Sequence, residues 1–200
     1  MSAPPAVAVT ASESTTASVA SARARLHAAG YATQVFDADG PAFELFVRAG
    51  HAAGVLDLTT GDLAHGTPGA SDRLTAAGLA GVPQVISLGG LDGVAPGSRT
   101  TPEECDRLGQ EIAMKACAAR GPTAILVPLR GLSALDIEGG PHWHPEANAA
   151  LFQSLRNWVY GVELIELDLH VTDPEFGLAC AETLLRLLRV TNVSQSVPGP

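Results

Sequence analysis

The chain has 200 residues, 46% of them hydrophobic but only 4% aromatic, which fits one ordinary domain with a core of Val, Leu, Ile and Ala. A formal net charge of −9 repels phosphate backbones and anionic bilayers, arguing against nucleic acid and membrane surfaces as partners. No basic region leads into a long apolar run near the start, no run is long enough to span a bilayer, and the 3 cysteines lack a C-x-x-C, so a cytoplasmic, reduced protein without a disulfide framework or zinc ribbon is expected.

In chain order, short apolar runs alternate with segments of helical period. A strand over 6–10 runs through TASESTT (10–16) into a helix over 17–29. Ser12, Ser14, Thr15 and Thr16 either hold a phosphate or carboxylate with the free amides of that helix end, or simply cap it. The stretch has no glycine, so it is neither a P-loop nor G-x-G-x-x-G. A strand over 33–37 and a helix over 41–49 follow, then a third strand over 54–58 that ends in DLTTGD. There Asp57, Thr59 and Thr60 either grip ligand hydroxyls or make an Asx or Ser/Thr turn with their own backbone.

A helix over 72–80 leads to a fourth strand, 84–88, and the glycine-rich loop SLGGLDGVAPGSRTT (87–101). Gly89, Gly90, Arg99, Thr100 and Thr101 make this loop a ligand-binding candidate, with Arg99 as a carboxylate or phosphate clamp and 89–97 as a lid; a mobile connector is the alternative. Thr101-Pro102-Glu103-Glu104 reads as an N-cap, first-turn proline and acids opening a helix over 102–119. Cys105 lies in its first turn, where a thiol pKa can fall, whereas Cys117 and Cys180 read as core.

The fifth strand, 123–128, ends in PLRG, where Arg130 either reaches the rim or pairs with Asp136 or Glu138. GGPHWH (139–144) then precedes a helix over 145–160, with His144 in the cap position. In an extended loop His142 and His144 point to one side, as acid and base or as metal ligands with Asp168 and His170 of the sixth strand end (162–167, then DLH); the alternative is that both are exposed loop residues or structural hydrogen-bonders. A helix over 174–188 and a frayed tail over 191–200 close a single domain spanning 1–190.

Continuous runs such as AILVP and VELIELDL suit strands buried on both faces. The fold expected is a three-layer Rossmann-like α/β domain, with a mostly parallel sheet of about six strands flanked by helices. Its strand order is expected to reverse between the first and fourth strands, with the ligand crevice outside the strand carboxyl ends. Candidate catalytic residues are His144, His142, Arg130 and Asp57. Candidate ligand-binding residues are Ser14, Thr15, Thr59, Thr60, Gly89, Gly90, Arg99, Thr100, Thr101, Gly140 and His170.

The stretches DLTTGDLAHG, GVPQVISLGGLD, RTTPEECDRLGQEIA, PLRGLSALDIEGGP, PEANAALFQSLR and LDLHVTDPEF, with the opening AVAVTASESTTASVASARARLHAAGY, resemble the second Rossmann-like domain of the tobamovirus-resistance-protein-like family. That family is often described as an ATP-binding-domain family. The resemblance covers nearly the whole chain, and PLRG-x-S-x-LD with GGP and D-x-H-x-x-D-P is specific. It implies a preceding domain of similar type in relatives, in some of them a barrel domain resembling phosphoenolpyruvate-using enzymes, nucleotide binding and self-association. Three departures stand out: only 93–98 remains of a longer segment before RTTPEE, HWHPE replaces something like FHDPE, and Gly61-Asp62 follows DLTT in place of Glu.

These departures suggest a domain repurposed as a small-molecule enzyme, with isomerase, lyase or hydrolase chemistry on a polar anionic or carbonyl metabolite. No cofactor is required by this reading, and a homodimer is expected. The alternative is a non-catalytic ATP- or nucleotide-binding module acting with a partner chain. A weaker option is a metal-dependent hydrolase using His142, His144 and His170.

Overall fold

In the computed structural model, which describes residues 5–38, 41–65, 73–95 and 97–196, the apolar runs pair side by side. The strands are β1 (Ala6–Ala11), β2 (Ala32–Asp37), β3 (Gly54–Thr59), β4 (Gln84–Gly89), β5 (Gly93–Ala95), β6 (Ser98–Arg99), β7 (Thr123–Pro128) and β8 (Glu163–Leu167). Six of them form one all-parallel sheet in the order β2-β1-β3-β4-β7-β8, and β5 and β6 form a small antiparallel hairpin. The helices are α1 (Thr16–Ala28), α2 (Ala42–Arg48), α3 (Asp62–His65), α4 (Thr75–Ala80), α5 (Pro102–Cys117), α6 (Pro145–Trp158) and α7 (Pro174–Ser196).

Strand periodicity of two divides the core. Val7, Val9, Leu56, Leu58, Val85, Ala124 and Leu126 pack against α1 and α7 on one face. On the other, Ile86, Leu88, Ile125 and Val127 meet α5 and α6, while Ala8 and Val55 meet α2 and α4. The result is the expected three-layer Rossmann-like arrangement.

The strand order corrects one expectation. The first strand lies beside the third, not the fourth, so the order reverses between β1 and β3. Hydrophobic periodicity fixes which face a residue buries but leaves a strand's neighbour open. The crevice at the reversal is therefore flanked by the loops after β1 and β3. The helix expected over 72–80 is shorter, with α4 at Thr75–Ala80 and α3 preceding it; residue 72 lies outside the described residues. At the end of the chain α7 runs past 188 to Ser196, and residues 197–200 of the expected tail lie outside the described residues.

The candidate functional site at the carboxyl rim

The loops after β4 and β7 knot together above the middle of the sheet. Gly90 N donates to the Leu132 carbonyl at 2.8 Å, and Thr100 N to the Asp92 carbonyl at 3.0 Å. At the centre lies Asp92, only 1% exposed. Its Oδ2 accepts from Ser133 Oγ at 2.5 Å and from His142 Nδ1 at 2.7 Å. With Nδ1 committed to a carboxylate, the other ring nitrogen is the one left for chemistry. His142 Nε2 makes no hydrogen bond among the described residues. Asp92 Oδ1 and Asp136 Oδ1 are buried without a hydrogen-bond partner among the described residues.

Arg99 braces this pair from within the protein. Its Nε donates to the His142 carbonyl at 2.8 Å and its Nη2 to Asn148 Oδ1 at 2.5 Å. Its Nη1 meets Thr100 Oγ1 and the Asp92 carbonyl. Asn148 in turn donates to Asp136 Oδ2 at 2.8 Å, which also accepts from Leu132 N at 2.9 Å. The lid candidate 89–97 thus holds β5, which pairs with β6 just beyond it, and hydrogen bonds at Gly90 and Thr100 pin the segment on both sides; residue 96 lies outside the described residues. Thr100 is buried and donates to the Leu91 carbonyl, while Thr101 caps α5 in a reciprocal capping box with Glu104.

His142 and His144 do not face one way. His142 turns inward to Asp92, while His144 Nδ1 accepts from Ala147 N at the start of α6 and lies 3.3 Å from Glu146. Gly140 sits where an added Cβ would lie 2.5 Å from the Leu135 carbonyl oxygen, so it holds the loop's turn tight.

At the β1–β3 reversal the expected hydroxyls are engaged within the protein. Thr10 Oγ1 donates to Asp57 Oδ1 at 2.7 Å, and Thr15 and Thr59 hydroxyls bond each other at 2.9 Å. Thr60 donates to the Ser87 carbonyl, and Ser14 Oγ accepts from Ala134 N, tying this loop to the knot. Glu13 places a negative charge in the first turn leading into α1. Gly89 passes so close to β3 that a Cβ would lie 2.4 Å from the Leu58 carbonyl oxygen, and Gly90, at φ +80°, packs on Gly61.

Beneath lies a buried ion cluster. Asp57, 1% exposed, accepts from Arg73 Nη2 at 2.9 Å; Asp62 lies 2.7 Å and Glu44 3.7 Å from the same guanidinium. Burial opposes the Arg73 charge, but Asp57 and Asp62 hold it firmly protonated. Burial, and then the charge of Asp57, push the Glu44 carboxyl above its ordinary range, although its oxygens accept from Leu74 N and Ala76 N.

A cleft of about 750 Å³ opens over the ends of β7 and β8, bounded by Leu129, Arg130, Ile137, Trp143, Phe152 and His170 among others. That volume suits a small metabolite. The alternative expectation for Arg130, a pairing with Asp136 or Glu138, does not hold. Arg130 meets Asp168, with Nε and Nη2 each 2.8 Å from a carboxylate oxygen. That contact raises the Arg130 pKa and lowers that of Asp168. His170 accepts at Nδ1 from Thr172 N and Thr172 Oγ1, so its Nε2 carries the proton and faces the Asp136 carbonyl at 3.3 Å. Among the described residues no three His, Cys, Asp or Glu side chains converge as metal ligands would.

Of the cysteines, Cys105 and Cys180 are buried, and burial pushes the Cys180 thiol up. Cys117 is half-buried rather than core, its Sγ 3.2 Å from the Tyr160 carbonyl. Sequence reasoning passed over Asp92, Ser133, Asp136, Asn148 and Arg73 as site residues. Asp92, Ser133 and Asp136 stand in GGLD and PLRGLSALD, where Asp92 and Ser133 directly follow the buried Leu91 and Leu132; that juxtaposition was the available signal. Among the described residues no helix is long and apolar enough to cross a membrane.

A family model described as the uncharacterised protein family (UPF0261) C-terminal domain matches residues 4–100 and 97–188. A UPF0261 protein of Rhizobium meliloti is 38% identical over 171 residues, covering 70% of this chain and 43% of that protein. A UPF0261 protein of Clostridium tetani is 33% identical over 207 residues, covering 87% of this chain and 51% of the relative. The ToMV resistance protein Tm-1(GCR237) of Solanum lycopersicum is 32% identical over 207 residues, covering 86% of this chain and 28% of its own length. The chain therefore spans about half the length, or less, of these curated relatives. The tobamovirus-resistance resemblance stands in these matches, but an ATP-binding label does not: the family description carries none.

Proposed function

The chain belongs to the UPF0261 family, matching its C-terminal domain, and from that premise we propose that it is a small-molecule enzyme domain in which His142 moves a proton. The observation that carries this reading is the buried Asp92–His142 pair, 2.7 Å apart at the strand carboxyl rim. Asp92 fixes the ring with Nδ1 protonated and stabilises the imidazolium that forms when Nε2 takes a proton. Trp143, next in the chain, lines the cleft where a polar metabolite bearing a carboxylate or carbonyl would lie, with Arg130 to orient it. Such groups serve isomerisation, lyase chemistry or hydrolysis. Arg99 acts on His142 through the backbone carbonyl and is a positioning residue.

Thermal-shift screening against carboxylate, phosphate and carbonyl metabolites, nucleotides and metals tests the reading. A ligand at about 100 times its Kd raises stability by about 2.7 kcal/mol. The expected result is stabilisation by a non-nucleotide metabolite that weakens in Arg130→Gln. Stabilisation by ATP or ADP alone, unchanged in His142→Gln, would overturn it in favour of a nucleotide-binding module acting with a partner chain. One fact favours that second reading: the relatives are about twice this length or more, so further chain accompanies this domain in them. Cytoplasmic location and a homodimer remain part of the proposal; a monomer in sedimentation at micromolar concentration would remove the dimer.

A further inference from the structure

We propose that the cleft beside Arg130 takes an amphipathic zwitterion, a small molecule whose carboxylate and ammonium groups flank an apolar body. The inference rests on the reading of the cleft as the ligand site. Its walls are apolar yet open: Leu129 is 37%, Trp143 42% and Ile137 49% exposed, and all three bound the same cavity. Large apolar side chains gathered at one concave rim are what an apolar ligand body would cover.

The charges define the two ends. Asp168 occupies the Nε and Nη2 side of the Arg130 guanidinium, and Nη1 has no partner among the described residues. Asp168 thereby holds the fork in place with N–H groups left over for a ligand carboxylate. Arg130 is, however, already balanced by Asp168. Glu138 and Asp173 add two carboxylates to the cleft lining, and Asp173 lies near enough to act on Arg130 through its charge. A plain anion would meet a net negative wall, and a plain cation would meet the guanidinium. A ligand carrying both signs satisfies each end, with the carboxylate on Arg130 and the ammonium toward Glu138 and Asp173.

The test uses intrinsic fluorescence of Trp143 in a Trp158→Phe background, since the chain has only 2 tryptophans. L-phenylalanine and L-leucine are titrated beside 3-phenylpropionate, which lacks the ammonium, and 2-phenylethylamine, which lacks the carboxylate. The expected result is saturable binding of at least one amino acid, with both half-charged probes about tenfold weaker or more. Arg130→Gln should weaken amino-acid binding by about tenfold to a hundredfold, whereas His142→Gln should leave it intact. Equal binding of either half-charged probe, no response to both amino acids, or an unaffected Arg130→Gln variant would overturn the zwitterion assignment. If the amino acids fail while another metabolite moves Trp143, only this inference falls and the cleft reading stands.

Discussion

Replacing Asp92 with Asn keeps the shape of the side chain and removes its charge. Its Oδ2 is the shared acceptor of Ser133 Oγ and His142 Nδ1, at 2.5 and 2.7 Å, in a site that is 1% exposed. Two charge-assisted bonds become neutral ones, while the cost of burying a carboxylate is relieved. The net expectation is a loss of about 1–3 kcal/mol. For a domain of this size that is a fall in Tm of about 2–12 °C. A double-mutant cycle with His142→Gln isolates the contact, because partners in one network couple by about 0.5–3 kcal/mol. Calorimetry of the four proteins measures it, and nitrogen NMR of the imidazoles reads which ring nitrogen of His142 holds its proton. Additive losses within about 0.3 kcal/mol, with the His142 tautomer unchanged in Asp92→Asn, would refute the pairing on which the site depends.

Arg73→Met should destabilise by about 3–5 kcal/mol, because Asp57 and Glu44 would stay buried without their cation; a change below about 1 kcal/mol by denaturant titration would contradict the cluster. The raised Glu44 pKa sets a pH dependence of definite sign. Above its ordinary value of 4.5 and below the raised native one, the folded protein holds a proton that the unfolded chain has released, so this group's contribution to stability falls as pH rises. Glu44→Gln should flatten that part of the Tm–pH curve, and an unchanged slope would speak against it. Gly177→Ala should cost about 1–3 kcal/mol or more, since the added Cβ would lie 1.8 Å from the Ser18 carbonyl oxygen and would force α7 away from α1; a neutral substitution would contradict that close crossing.

Local chemistry was legible in the sequence wherever it involved near neighbours. AILVP is a strand buried on both faces, and Thr101-Pro102-Glu103-Glu104 and His144-Pro145-Glu146 open helices as their residue types require; VELIELDL, expected to be buried likewise, instead forms the edge strand β8 with Glu163 and Glu166 exposed, because a run of alternating leucines and acids does not say whether a further strand lies beside it. What the chain hides is pairing across distance. Asp92 and His142 are 50 residues apart, and Arg130 and Asp168 are 38 apart, so neither partner follows from periodicity or capping. Strand order is hidden for the same reason: β1 buries the same side chains whichever strand lies beside it. The threonine-rich turns illustrate the converse. Thr15, Thr59 and Thr60 stand at strand ends as a ligand site would place them, but the parallel strands bring them close enough to bond one another and neighbouring carbonyls. His142-Trp143-His144 reads as a single motif, yet the turn sends its first histidine to a buried acid and its last to a helix end.

The most direct measurement is the turnover of His142→Gln on the metabolite that stabilises the protein, beside the wild type and Arg130→Gln. Removal of a true acid/base group lowers kcat by about 10²–10⁴ while leaving ligand binding in place, and that is the result expected for His142. Turnover near wild type in His142→Gln would contradict the central claim and leave the Asp92–His142 pair as a structural tie between two loops.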